Sequence, residues 1–207
     1  MRYRANQSGF TLVEMAVVLL VMGLVIGGLL ATAPAVLENQ RYRDVQHALG
    51  LIEEALVGYA MANGGGLPAA DTTGDGVSDS GQGRGTLPWK SLGLDPDLGR
   101  RDPWGNPFLY HVDANWRETP PPSPPNTVTG LRVDDLSGSR LTLNNPAAPV
   151  AVVGSFGANG SGDGDNGDGD VRYTSDQYVD NTFDDELRWL SRYVLLGKLV
   201  EAGVWPQ

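Results

Sequence analysis

A long apolar run from Met15 to Leu37 constrains the fold of this chain more than any other feature of its sequence. As a helix, the run is long enough to cross a hydrocarbon core about 30 Å thick. Helices of soluble domains rarely stay apolar on every face over this length, because one face normally meets water. The run therefore predicts a membrane-spanning helix rather than a buried helix of a soluble domain.

The charges before the run indicate its orientation. Arg2 and Arg4 precede it without any acidic residue. Because positively charged flanks stay on the cytoplasmic side, the N-terminus is expected inside the cell and the rest of the chain outside. An ordinary secretory signal, cleaved at the small residues Ala31 to Ala33, is the alternative interpretation.

Two features speak against a cleaved secretory signal. Glu14 places a carboxylate at the edge of the apolar run, where a charge is costly and needs a reason. The helical pattern also continues beyond the run, with an apolar stripe at three- and four-residue spacing that comprises Val45, Leu49, Ile52, Leu56 and Tyr59. We therefore expect one helix over about residues 10–61, ended by the glycines of 63–66.

Composition narrows the classes of function. The 207 residues suffice for one globular domain with an accessory segment. The formal net charge is −10, and it becomes −12 if Arg2 and Arg4 are removed, which argues against nucleic-acid binding. The chain has no cysteine, so disulfides and thiolate metal sites are excluded.

The segment from Gly9 to Glu14, with a short basic leader before it and an apolar helix after it, resembles the processing site of type IV prepilins and type II secretion pseudopilins. The resemblance implies that a membrane-embedded prepilin peptidase cuts between Gly9 and Phe10 and then methylates the Phe10 amine. It also implies that Glu14 pairs with the terminal amine of a neighbouring pilin or pseudopilin subunit during assembly. The implied partners are these other subunits, the peptidase and an inner-membrane assembly platform.

The same resemblance implies an α+β, pilin-like fold, in which a long N-terminal helix packs on a small antiparallel sheet with long loops. We divide the chain into a leader (1–9), a transmembrane and assembly helix (10–37), its amphipathic continuation (38–63) and a soluble domain (64–207). The resemblance places this domain in the periplasm of a bacterium, tethered by a single pass through the inner membrane. The subunit would join a pilus or pseudopilus after assembly.

Short apolar segments in the soluble domain predict its strands, at 108–112, 131–133, 141–143, 150–156 and 187–190. Ser191 is a candidate N-cap for a last short helix that ends at about residue 202. The residues of this helix expected to point inward are Val194, Leu195, Leu199 and Val200.

Two acidic, glycine-rich loops are candidate calcium sites, since calcium collects six to eight oxygen ligands. The first carries Asp71, Asp75 and Asp79, and only approximates an EF-hand loop. The second follows a strand and loop (153–160) similar to those of pseudopilins, and it resembles their calcium loop; it carries Asp163, Asp165, Asp168 and Asp170. Solvated acidic turns are the alternative for both loops. Calcium is thus an optional ligand, and no cofactor is required.

No catalytic residue is predicted. The histidines His47 and His111 lie in no nucleophile motif, and Ser155 lacks the spacing of a hydrolase elbow. Asp184 and Asp185 are explained by a turn before a strand. The sequence therefore favours a non-enzymatic assembly subunit, either a secretion pseudopilin or a minor pilin. The alternative is a monomeric, membrane-anchored binding protein or enzyme with a fortuitous leader.

Overall fold

A computed structural model describes residues 9–118, 130–143, 148–179 and 181–205, and within 27–35 it describes the backbone alone. Residues 1–8 of the predicted leader lie outside this description. The chain divides between Arg41 and Tyr42 into two compact units. One helix, α1 (Leu12–Ala62), contributes to both.

The end of α1 follows from its glycines. Gly64 and Gly65 adopt positive φ angles of 69° and 99°, a backbone conformation that side chains with a Cβ rarely take. The Gly65 N–H donates to the carbonyl of Ala60 at 2.7 Å and satisfies a carbonyl of the last turn. The predicted helix of about 10–61 is thereby confirmed to within two residues.

Among its described residues, the second unit contains two further helices and six strands. The helices are α2 (Pro96–Gly99) and α3 (Arg192–Glu201). The strands are β1 (Arg84–Thr86), β2 (Leu109–Val112), β3 (Arg132–Asp134), β4 (Pro149–Ser155), β5 (Arg172–Thr174) and β6 (Glu186–Ser191). A 3₁₀ turn spans Gly164–Asn166.

Strands β1, β2, β4 and β6 form an antiparallel sheet in that spatial order, and β3 pairs with β5 in a separate parallel pair. The α+β class and the small antiparallel sheet are confirmed. The parallel pair was not predicted from the sequence, and neither were β1 and β5. Both missed strands are three-residue segments without an alternating apolar pattern, so periodicity gives no signal for them.

The strand predicted at 141–143 is wrong. Leu141 donates its N–H to the carbonyl of Val133 at 2.9 Å, but the Thr142 hydroxyl accepts the Val133 N–H at 3.1 Å. A side chain thus takes the place of the backbone partner, and no ladder forms.

The antiparallel sheet is covered on both faces. One face packs against the apolar stripe of α1, where Val45, Leu49, Ile52 and Leu56 are buried and Ala60, rather than the predicted Tyr59, continues the stripe. The other face forms a smaller core that comprises Leu109, Leu131, Val133, Val152, Tyr173 and Leu187. Covering on both faces explains why every residue of β4 is buried and why its sequence is apolar from Pro149 to Val153.

Helix α3 has the predicted N-cap but a different inward face. The Ser191 hydroxyl accepts the N–H of Val194 at 3.3 Å. Val194 and Val200 are about half exposed, contrary to the prediction, and the buried residues are Arg192, Leu195, Leu196 and Leu199. These four follow the spacing of one helical face, whereas Val194 and Val200 lie beside it.

His111 is a half-buried histidine of β2. Its Nδ1 lies 2.7 Å from the Tyr173 hydroxyl. Burial lowers the pKa of His111 to about 4. The positive charges of Arg84 and Arg117 lower the pKa further, while the negative charges of Asp113 and Asp170 raise it. The folded state therefore holds this imidazole neutral at neutral pH.

We expect His111→Gln to remove part of the acid sensitivity of the fold. Because the pKa of His111 is lower in the folded chain, the unfolded chain binds more protons between about pH 6.5 and 4, and stability falls as pH falls through this window. With solvent screening of the partly exposed ring, we expect this loss to be about 1–2 kcal/mol. Urea denaturation at pH 7 and pH 4.5 measures it. His47→Gln, at an exposed position of α1, is the control.

Candidate functional site

The first acidic loop satisfies its carboxylates with its own backbone. Asp71 is buried, and its two oxygens accept N–H groups of Thr73, Gly74 and Gly76 at 2.7–3.0 Å. Asp79 Oδ2 accepts the N–H groups of Thr72 and Thr73 at 2.6 and 3.0 Å. These carboxylates close the loop on itself.

A lysine supplies positive charge to this loop. The Lys90 ammonium donates to the backbone carbonyl of Asp75. Asp75 Oδ1 accepts the N–H of Val77 at 2.8 Å. The calcium prediction for Asp71, Asp75 and Asp79 stays a prediction, and the geometry gives the loop a stable arrangement without an ion.

The second acidic loop contributes to a different group of carboxylates. Among the described residues, Asp163, Asp184 and Asp185 each offer one oxygen, and these oxygens lie within 4.8 Å of one another. Asp165, Asp168 and Asp170 do not belong to this group. Two oxygens that share a calcium ion at about 2.4 Å each lie at most about 4.8 Å apart, so the group has the dimensions of a divalent-cation site.

Hydrogen bonds interlock the three carboxylates. Asp163 Oδ2 accepts the N–H of Asp184 at 2.9 Å, and Asp185 Oδ2 accepts the N–H of Asp163 at 2.7 Å. Asn159 also holds Asp184, because its Nδ2 donates to Asp184 Oδ1 at 2.7 Å. The residues of two separated segments are thus fixed against each other.

One carboxylate oxygen of Asp185 is buried without a hydrogen-bond partner among the described residues. It is 3% exposed, and its Oδ1 has no hydrogen-bond partner in the part of the chain that the structure describes. Burial raises the pKa of Asp185 to about 7, and burial also raises the pKa of Asp184. A buried carboxylate with an orphan oxygen beside two others is the environment that a hard cation would stabilise.

The N-terminal site is organised by a reciprocal pair of residues. Glu14 Oε2 accepts the N–H of Thr11 at 2.9 Å and its hydroxyl at 2.8 Å, while Thr11 Oγ1 accepts the N–H of Glu14 at 3.2 Å. This arrangement is a capping box, and it explains why α1 begins at Leu12. Glu14 Oε1 accepts no hydrogen bond from the described residues and remains available.

Around Glu14 the surface of this unit is apolar. Thirteen large apolar side chains are exposed between Phe10 and Ile26, among them Leu12 at 88% and Phe10 at 80%. In the part of the chain that the structure describes, no helix combines the length and the hydropathy that a membrane crossing requires. The predicted span at 10–37 stays a prediction.

Comparison with known proteins decides what the N-terminus is. Residues 4–30 match the family model of the prokaryotic N-terminal methylation motif. The chain carries a prepilin methylation motif. This is the N-terminal motif of type IV prepilins and pseudopilins, so the resemblance stated from Gly9 to Glu14 is confirmed. No curated protein and no solved structure matches the chain.

Sequence reasoning missed three residues of these sites. Thr11 completes the capping box of the methylation motif, and the Thr-x-x-Glu spacing was a usable signal for it. Asp184 and Asp185 were interpreted as a turn, but the structure joins them to Asp163. No spacing rule links residues 21 and 22 positions apart, because only the fold brings β6 beside the acidic loop.

Proposed function

We propose that this chain is a structural subunit, a pseudopilin or minor pilin, of a type II secretion pseudopilus or a type IV pilus. Prepilin peptidase would cut it between Gly9 and Phe10, and the mature N-terminal helix would carry assembly. The match to the methylation motif at residues 4–30 is the observation that carries this proposal.

The exposed surface of residues 10–26 supports assembly through the helix. Apolar side chains on all sides of α1 are unfavourable in water, and each large one gains about 1.5–3 kcal/mol when it is buried. A bilayer covers such a surface before assembly, and the helices of other subunits cover it in a fibre. The first half of α1 would therefore anchor the precursor in the inner membrane, with residues 64–207 in the periplasm.

Glu14 supplies the specificity of this packing. Its Oε2 is occupied by Thr11, but Oε1 is available to a cation. The methylated amine of Phe10 on a neighbouring subunit is the cation that the motif would supply. A buried carboxylate without its partner is costly, so the pair would bias inserted subunits toward association.

We further propose that the soluble unit binds calcium at Asp163, Asp184 and Asp185. The orphan oxygen of Asp185 and the close approach of the three carboxylates support this ligand set over the first loop. When bound, the ion would supply positive charge and link the acidic loop to the segment before β6. This proposal makes the metal a structural clip and assigns it no chemistry.

Glu14→Ala should leave membrane insertion intact and strongly reduce assembly. Loss of one partner of a buried ion pair costs about 3–5 kcal/mol, so we expect incorporation below about a tenth of wild type. Quantitative immunoblots of membrane and sheared-fibre fractions measure both steps. Glu38→Ala, which removes a carboxylate from the same helix, is the control. A Glu14→Ala subunit that assembles as well as wild type would contradict the proposed pairing.

Millimolar calcium should raise the melting temperature of the full-length protein in detergent. A ligand that binds only the folded state stabilises it by about 2.7 kcal/mol at a hundredfold excess over its Kd. Asp185→Asn should abolish this shift, whereas Asp75→Ala in the first loop should preserve it. Magnesium should substitute poorly, because its octahedral shell is strict. If neither calcium nor a chelator changes the melting temperature, the calcium proposal is wrong and both loops are solvated acidic turns.

A further inference from the structure

Asn166 is a fully buried polar residue at the end of the 3₁₀ turn, directly beside the carboxylate group. Its Nδ2 donates to the carbonyl of Thr174 at 2.9 Å and to Asp185 Oδ2 at 2.8 Å. Its Oδ1 accepts the N–H of Thr174 at 2.8 Å. These partners fix the orientation of the amide. In a flipped amide, the side-chain oxygen would face the Thr174 carbonyl and Asp185 Oδ2, which are both acceptors.

The backbone of Asn166 is held as firmly as its side chain. Arg84 of β1 donates from Nη2 to the Asn166 carbonyl at 2.8 Å, and its guanidinium lies 5.7 Å from the centre of the Tyr173 ring. Tyr173 and Thr174 belong to β5. Asn166 is therefore anchored to two strands, and its amide reaches Asp185 from a rigid support.

This anchoring decides which oxygen of Asp185 is free. Asp185 Oδ2 accepts both the Asn166 amide and the N–H of Asp163. Asp185 Oδ1 is left buried and without a hydrogen-bond partner among the described residues. Rotation of the carboxylate would break two hydrogen bonds, and so the free oxygen stays in one place.

We propose that Asn166 is a positioning residue for cation binding, which holds Asp185 so that Oδ1 alone is presented to a divalent ion shared with Asp163 and Asp184. The inference rests on the proposed calcium site and specifies how that site is built. Outer partners of this kind orient a ligand before the ion arrives, and their loss typically lowers metal affinity by about 10- to 100-fold.

Calorimetric titration of the full-length protein in detergent with calcium chloride, well below the melting temperature, tests the proposal. We expect Asn166→Ala to raise the Kd for calcium at least about tenfold. Thr174→Val is the matched control, since the Thr174 hydroxyl accepts the N–H of Asp165 at 3.1 Å and does not contact Asp185. This control should lower the melting temperature without calcium and leave the Kd within about twofold of wild type.

The outcomes separate this inference from the calcium proposal itself. If wild type binds calcium and Asn166→Ala binds it equally well after a loss of stability, Asn166 is merely structural and the inference is wrong. If wild type binds no calcium, the calcium proposal and the inference both fail. If Asn166→Ala loses its cooperative melting transition, the Kd for calcium of Asn166→Ser is compared with that of wild type instead. A single hydroxyl cannot donate to both Thr174 and Asp185, so this variant also loses a hydrogen bond of the amide.

Discussion

A carboxylate set in an apolar helical surface is the constraint on which this molecule depends. Glu14 is the single charged residue between Phe10 and Leu37, and apart from Thr11 the described side chains around it are exposed and apolar. Thr11 satisfies one of its oxygens and starts the helix, which leaves the other for a partner. The same residue thus begins α1 within the chain, and in the proposed assembly its charge would also connect α1 to a second chain.

The second unit also contains a carboxylate with one oxygen unpartnered by the described residues, at its acidic loop. Strand β4 is buried on both faces, and it positions β6 as its antiparallel neighbour. Asp184 and Asp185 lie immediately before β6, so the sheet carries them to Asp163 and to the anchored Asn166. In both units a carboxylate retains one oxygen without a partner among the described residues. Such an oxygen is costly when it is buried in isolation, and a cation at the proposed sites would offset that cost.

The long helix, its buried stripe, four of the five predicted strands and the last helix could be predicted, because each leaves a local pattern of apolar spacing or a cap. Strands β1 and β5 could not, since a three-residue polar segment gains its pairing partner only from the fold. At the N-terminus, the methylation motif is contiguous, and so it could be recognised from the sequence alone, while the roles of Gly9, Phe10 and Glu14 within it stay predictions. The carboxylate group is not contiguous, and of its members only Asp163 was named from the sequence.

Mass spectrometry of the N-terminal peptide of the mature protein, purified from the membrane of its own cells, tests the central claim most directly. The account predicts a peptide that begins at Phe10, with one added methyl group on its α-amine. Assembly through a paired Glu14 requires this free, charged amine at Phe10, because an uncut leader would bury the same nitrogen in a peptide bond. A mature chain that retains Met1, or one that begins after Ala33, would contradict the account.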